Sequence, residues 1–162
     1  MSALDERALV GSLLWLDVEQ GRHVRALFDR QDLEDERHKV IVDLIDGCLA
    51  DAVRPDPAAL FAAARTAAAV MADLPQRTDP EAQLGKFGAY LAELFGAASH
   101  PLMAHVYAAG VVEAGVRRRI TEAGQRLIQA ASNDLATTLT ITTTEIQALA
   151  MCIGRIRQEQ RQ

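Results

Sequence analysis

The sequence predicts an all-α chain, with a globular head of about five helices over residues 1–100 and a C-terminal antiparallel helical hairpin over 101–162. Three observations carry this. Apolar residues recur at three- and four-residue steps through most of the chain, the period of helices with one buried side. Asp56-Pro57 and Asp79-Pro80-Glu81 each set an N-cap carboxylate before a proline, whose missing N–H costs nothing at the first helical position. Two apolar seams flank the polar Ser132-Asn133-Asp134, as in two helices that fold back on each other.

Taken in order, Ser2 and Asp5 can cap a first helix carrying Leu4, Ala8, Leu9, Leu13 and Leu16 on one side. A short second helix is predicted over residues 24–28, ending before Gln31-Asp32. The third has Val40, Ile41, Leu44, Ile45, Cys48 and Leu49 at helical spacing, with Asp43, Asp46 and Asp51 outside the stripe. The fourth is alanine-rich through Leu60, Phe61, Ala64 and Val70, and Asp73-Leu74-Pro75 ends it. The fifth carries Leu84, Phe87, Leu91, Leu94 and Phe95, and Ser99-His100-Pro101 restarts the chain.

The hairpin's first arm spans residues 101–132, roughly 45 Å at ~1.5 Å per residue. Its seam is Leu102, Val106, Ala109, Val116, Ile120, Ala123, Leu127 and Ala130, broken where Glu113 takes a seam position. Leu139, Thr142, Ile146, Leu149, Ile153 and Ile156 form the seam of the second arm. The β-branched run at residues 137–144 also suggests a strand. Nothing nearby offers a partner strand, and Thr142-x-x-Glu145 has capping-box spacing, so a loop and a helix start are expected there. Val112, Ile128, Leu135, Ile141 and Met151 fall outside the seam and need another surface. The candidate interface is therefore Val112, Val116, Ile120, Leu127, Ile128, Leu135, Leu139, Ile141, Ile146, Leu149 and Ile153.

At 162 residues the chain can bury one core without staples. A net charge of −5 argues against a free-standing, non-specific nucleic-acid binder, while a local basic face stays open. Cys48 and Cys152 lie in apolar helical contexts and read as buried free thiols, with a disulfide or a nucleophile as the alternative. The charged N-terminus leads into too short an apolar stretch for a signal peptide, and the alanine-rich run at 58–72 is too short and too weakly apolar for a bilayer. A soluble cytoplasmic protein with no membrane partner is expected.

No catalytic, metal-binding or cofactor-binding residues are expected. Gly85-Lys86 is followed by Phe87 and lacks the upstream glycine of a phosphate loop. His100 and His105 have the wrong spacing for a shared helical metal site. Arg117, Arg118 and Arg119 form the one concentrated positive patch, but neighbouring helical residues splay by about 100°. One of them supports the hairpin base through Glu113 or Glu122; phosphate contact is the alternative.

Several spaced segments resemble the N-terminal domain of the DnaB family of replicative DNA helicases. Asp5-Glu6-Arg7-Ala8-Leu9-Val10-Gly11-Ser12-Leu13-Leu14 is similar to its opening helix, with an L-x-G-x-L-L core. Asp32-Leu33, His38 and Ile41 resemble the next block, and Val53-Arg54-Pro55-Asp56 the turn into the fourth helix. Gly88-Ala89-Tyr90-Leu91-Ala92-Glu93-Leu94 resembles the G-x-Y-L-x-x-L segment, and Tyr107-Ala108, Val111, Glu113, Arg118 and Ile120 a later stretch. Departures are Leu33 for the usual phenylalanine, Met103 where asparagine is common, and the absence near Asp51 of the family's glycine before the fourth helix.

The resemblance implies a helical head with a protruding hairpin, a dimer through the hairpins, a higher ring built from such dimers, and docking of primase. It also implies that His38 bridges helices. The family's ATP-hydrolysing half would have to follow Gln162, where the sequence ends, which points to a non-catalytic interaction and self-association module of DNA replication. Its expected partners are a second copy and a primase or helicase-type replication protein, with DNA involved only indirectly. Two alternatives are a helicase-binding domain of the primase type and a small DNA-binding regulator using residues 111–127.

Overall fold

A computed structural model describes residues 2–71, 80–98, 100–132 and 134–159. Among these residues there are seven α-helices, two 3-10 turns and no strand, so the chain is all-α. The helices are α1 (Ser2–Leu13), α2 (Val18–Arg25), α3 (Glu36–Ala50), α4 (Pro57–Met71), α5 (Pro80–Ala97), α6 (Ala104–Ala130) and α7 (Leu135–Glu159). The 3-10 turns are Arg30–Asp32 and Pro101–Met103. The chain divides into two compact units, Met1–Val112 and Glu113–Gln162, and the division falls inside α6. No helix of the described residues is long and apolar enough to cross a membrane.

In the first unit α1 packs on α3 and α5, α4 packs on both of these, and α2 lies on α3. Leu9, Leu13, Leu14, Ile41, Ile45, Leu60, Leu91 and Leu94 are fully buried, which is the stripe pattern of α1, α3, α4 and α5 realised as one core. Two glycines set its tightness. A Cβ at Gly11 would lie 2.6 Å from the Leu94 carbonyl oxygen, so α1 and α5 approach backbone to backbone there. A Cβ at Gly88 would lie 2.9 Å from the Phe61 ring.

Helix α2 departs from the sequence expectation. It occupies Val18–Arg25 rather than residues 24–28, because Asp17 caps it: Asp17 Oδ1 accepts from Gln20 N–H at 2.8 Å, and Gln20 Oε1 accepts from Asp17 N–H. Apolar periodicity could not see this, since only Gly21 and Val24 of the helix are buried. At the end of α3, Val53 N–H bonds to Cys48 O and Ala52 N–H to Leu49 O, a Schellman closure with Ala52 at φ 57°. An alanine therefore holds the left-handed position that glycine would fill without strain. Asp56 caps α4 as its spacing predicts, accepting from Ala59 N–H at 2.8 Å. Asp73-Leu74-Pro75, Asp79, Ser99 and Asn133 lie outside the described residues.

The first part of α6 turns a different face inward from the one expected. Ala104, Ala108, Val111 and Val112 are buried, whereas Leu102, Val106 and Ala109 are exposed. Close approach explains the choice: a Cβ at Gly110 would meet the Asp5 carboxylate at 3.2 Å, and small residues line so tight a contact better than leucine does.

In the second unit, residues 137–144 belong to α7 and not to a strand or a loop. The helix starts at Leu135 because Asp134 accepts from Thr137 N–H at 3.1 Å and from its hydroxyl at 2.7 Å, seven residues ahead of the Thr142–Glu145 start expected from spacing. The threonine run stays helical because the hydroxyls of Thr140, Thr143 and Thr144 donate to the carbonyls of Ala136, Leu139 and Thr140 at 2.8–3.0 Å. The chain folds back between α6 and α7. Thr138 Oγ1 donates to Ala130 O at 2.7 Å, and Arg126 Nε reaches Glu145 Oε1 at 2.6 Å. In one continuous helix residues 126 and 145 would lie about 28 Å apart.

Candidate protein-interaction surface

The two helices of the hairpin meet mostly through small and polar residues, with one large aliphatic residue from each. Ala123 and Ala130 are buried on α6 with Leu127 half-buried beside them; on α7 the half-buried residues are Thr138, Ile141, Thr142 and Glu145. The other large apolar residues of the described part lie elsewhere. Ile120 is 50% exposed and Ile128 76% on α6, while on α7 Leu135 is 74% exposed and Leu139 and Ile146 are each 58% exposed. The predicted seam of α7 is therefore rotated. Leu139 and Ile146 point outward, and Ile141, expected to need another surface, is turned in toward α6.

Angles place these residues relative to each other. At about 100° per residue, Leu135, Leu139 and Ile146 fall within a narrow arc roughly a quarter turn from the centre of the α7 inner face. Ile120 and Ile128 are offset from the α6 inner face by a similar angle in the same sense. In an antiparallel pair, equal offsets of one sense put both stripes on the same side of the hairpin. Five large aliphatic side chains thus share one open flank, the kind of patch a lone soluble surface rarely carries.

The remaining predicted residues are placed as follows. Val112 is 6% exposed and so is not part of the open flank. Val116 and Leu127 are half-buried. The side chains of Leu149, Ile153, Met151 and Cys152 lie outside the described residues. Arg117 is exposed and pairs with Glu113 at 2.5 Å, one of the two partners expected for it, while Arg118 and Arg119 are half-buried. Arg126, which the sequence reading did not single out, makes the bidentate link to Glu145 and lowers that carboxyl's pKa by hydrogen bonding.

The first unit holds a second constellation, around His38. Glu6 and His38 are both nearly inaccessible, and Nδ1 of His38 lies 2.7 Å from Glu6 Oε1. The backbone N–H groups of Glu34 and Asp35 also donate to the Glu6 carboxylate, at 2.8 and 3.0 Å. Nε2 of His38 lies 2.7 Å from the Tyr90 hydroxyl, and the Arg37 guanidinium covers the Tyr90 ring at 4.6 Å. Burial pushes the Glu6 carboxyl up, but the His38 and backbone hydrogen bonds outweigh it and hold the carboxyl below its ordinary value. Burial raises the Tyr90 hydroxyl, partly offset by Arg37.

A carboxylate behind a histidine can orient a general base. Here both ring nitrogens are engaged and the ring is buried, so the arrangement pins α1, α3 and α5 together, as expected of a bridging His38. Sequence reasoning missed the part played by Glu6. The available signal was an acid at i, i+3, i+7 spacing with Leu9 and Leu13, on a stripe otherwise apolar. It also missed Trp15, whose ring stacks on Phe95 at 4.0 Å and whose Nε1–H donates to Phe95 O at 2.9 Å.

Cys48 is a free, buried thiol whose pKa is raised by burial and by Asp51 and Asp56, which suits a core residue and not a nucleophile. No group of three or more metal-ligating side chains is found among the described residues.

No protein-family model matches the sequence, and none of the curated proteins matches it. Among solved structures the chain is similar to the N-terminal domain of DnaB helicase from Mycobacterium tuberculosis, with a TM-score of 0.72 and 20% sequence identity over 89% of this chain and 94% of that one. Seven helices in this order, the Gly11 and Gly88 contacts and the His38 pin therefore build a known fold from a distant sequence: this chain folds as the N-terminal domain of DnaB helicase does.

Proposed function

We propose that the chain is a non-catalytic protein-interaction and self-association module of DNA replication, of the collar type that its fold suggests. The observation that carries this reading is the one-sided apolar flank of Ile120, Ile128, Leu135, Leu139 and Ile146. Each such side chain withdrawn from water by a partner contributes roughly 1.5–3 kcal/mol before association costs. A second copy offering the same flank would satisfy both hairpins at once, as a two-fold interface does. Association of such copies through further surfaces would give a ring.

The second partner in this reading is a primase, or another helicase-type replication protein, and the setting is the cytoplasm. DNA is engaged only indirectly, in keeping with a net charge of −5 and with Arg117 and Arg126 engaged in ion pairs. Catalysis has no place in it, since the buried histidine has both nitrogens occupied.

Co-elution of the purified chain with isolated primase and with isolated helicase domains tests the partner. A complex with primase supports the reading. A complex formed only with the helicase collar contradicts it and favours the primase-type alternative.

A further inference from the structure

A groove of about 600 Å³ opens between α3 and α5, wholly within Met1–Val112. Its apolar lining is Val40, Phe87, Ala89 and the ring of Tyr90. Val40 is 50% exposed, although it sits between the buried faces of a helix whose other large residues are mostly covered. The floor is preformed, because the Tyr90 hydroxyl is tied to His38 and through it to Glu6.

The rim is charged unevenly. Glu93 is neutralised by Arg7 at 2.6 Å, and Arg37 shares its charge with Asp35. Lys86 is exposed and makes no ion pair among the described residues. On a chain of net charge −5, one apolar groove thus carries a surplus of positive charge.

We propose that this groove docks an acidic amphipathic segment of a partner protein, with a leucine- or phenylalanine-sized side chain seated over Val40 and Phe87 and a carboxylate on Lys86. An apolar anchor with a flanking charge is the usual grammar of a helix laid in a groove, and a preordered floor lowers the cost of binding. The inference extends the interaction-module reading to a second surface. It does not depend on self-association, since the groove and the hairpin flank belong to different units.

The probe is a fluorescein-labelled helical peptide of about fourteen residues, roughly four turns, with leucines on one face and glutamates beside them. A control peptide replaces every glutamate by lysine. Fluorescence anisotropy with the full chain should show saturable binding of the glutamate peptide and weaker binding of the control. Val40→Asp should weaken the glutamate peptide about tenfold or more. Lys86→Glu should weaken it about fivefold and bring the lysine peptide up to match or exceed it. Both positions are exposed, so the variants should keep the parent's thermal unfolding. Amide shifts in a two-dimensional NMR spectrum should cluster at residues 37–40 and 86–93.

Three results would overturn the proposal: no saturable binding, equal binding of the two peptides, or binding lost in Leu139→Asp/Ile146→Asp but retained in Val40→Asp. That hairpin variant should bind the glutamate peptide as the parent does, even where self-association is abolished. Failure of one reading is thereby separated from failure of the other.

Discussion

The two units of this chain use their large apolar residues in opposite ways. In Met1–Val112 leucine and isoleucine are mostly inside, Leu102 excepted, with eight of the largest at zero or near-zero exposure, and glycine sets how closely the helices approach. In Glu113–Gln162 the inner contact is made mostly of Ala123, Ala130, threonines and one ion pair, with Leu127 and Ile141 half-buried among them, and the other leucines and isoleucines of the described residues lie outside. A helix pair held by small and polar contacts gains little from burial. The exposed residues are then explained by what they meet, not by what they hold together.

The comparison breaks most readily at Glu6. Glu6→Ala should cost about 3 kcal/mol or more in urea unfolding, because it leaves His38 and the N–H groups of Glu34 and Asp35 buried without their acceptor. The same carboxylate gives the first unit an acid dependence. Its folded pKa lies below the ordinary 4.5, so its contribution is complete above that value and is lost as pH falls through the lowered one. Asp35, pulled down to about 2 mainly by its Arg37 hydrogen bond, acts in the same direction at lower pH. The urea midpoint should therefore decline from about pH 5 toward about pH 3, and Glu6→Gln should remove most of the upper part of that decline.

Gly11→Ala comes next. It sets a methyl 2.6 Å from the Leu94 carbonyl and should cost about 2 kcal/mol, read as a lowered melting temperature. Ala52→Gly should act in the other direction. Relief of the φ of 57° should raise stability by up to about 1 kcal/mol in the same assay. Smallest of all, Leu139→Asp/Ile146→Asp should change monomer unfolding by no more than about 0.5 kcal/mol, because both side chains point to solvent. A loss of several kcal/mol there would mean that the second unit keeps its core where the first does, and the contrast would dissolve.

The same contrast explains what the sequence reveals. In α1, α3, α4 and α5 periodicity and burial largely agree, so these helices and most of their buried residues are readable from spacing, whereas the first part of α6 turns another face inward. Asp56-Pro57 announces α4 because capping is local chemistry. Helix α2 is hidden, since its start is a polar capping box and only one of its two valines, Val24, is buried. In the hairpin, periodicity reports that an apolar stripe exists but not whether it faces the other arm or a neighbour. Periodicity therefore places Leu139 and Ile146 inward, whereas the inner face of α7 is made of Thr138, Ile141, Thr142 and Glu145. The threonines hide the helix too: their β-branching signals a strand, and only the backbone carbonyls one turn back, which sequence does not display, satisfy their hydroxyls. Glu6, His38 and Tyr90 stand far apart in the chain, so their meeting is a tertiary fact that no local pattern encodes.

The most direct test is light scattering coupled to size exclusion over a wide concentration range. The parent chain should run as a dimer or a larger even assembly, and Leu139→Asp/Ile146→Asp should run as a folded monomer, its self-affinity lowered by about a hundredfold or more. A parent that stays monomeric at the highest concentration, or a double variant that assembles as the parent does, would contradict the reading of this flank as an interface.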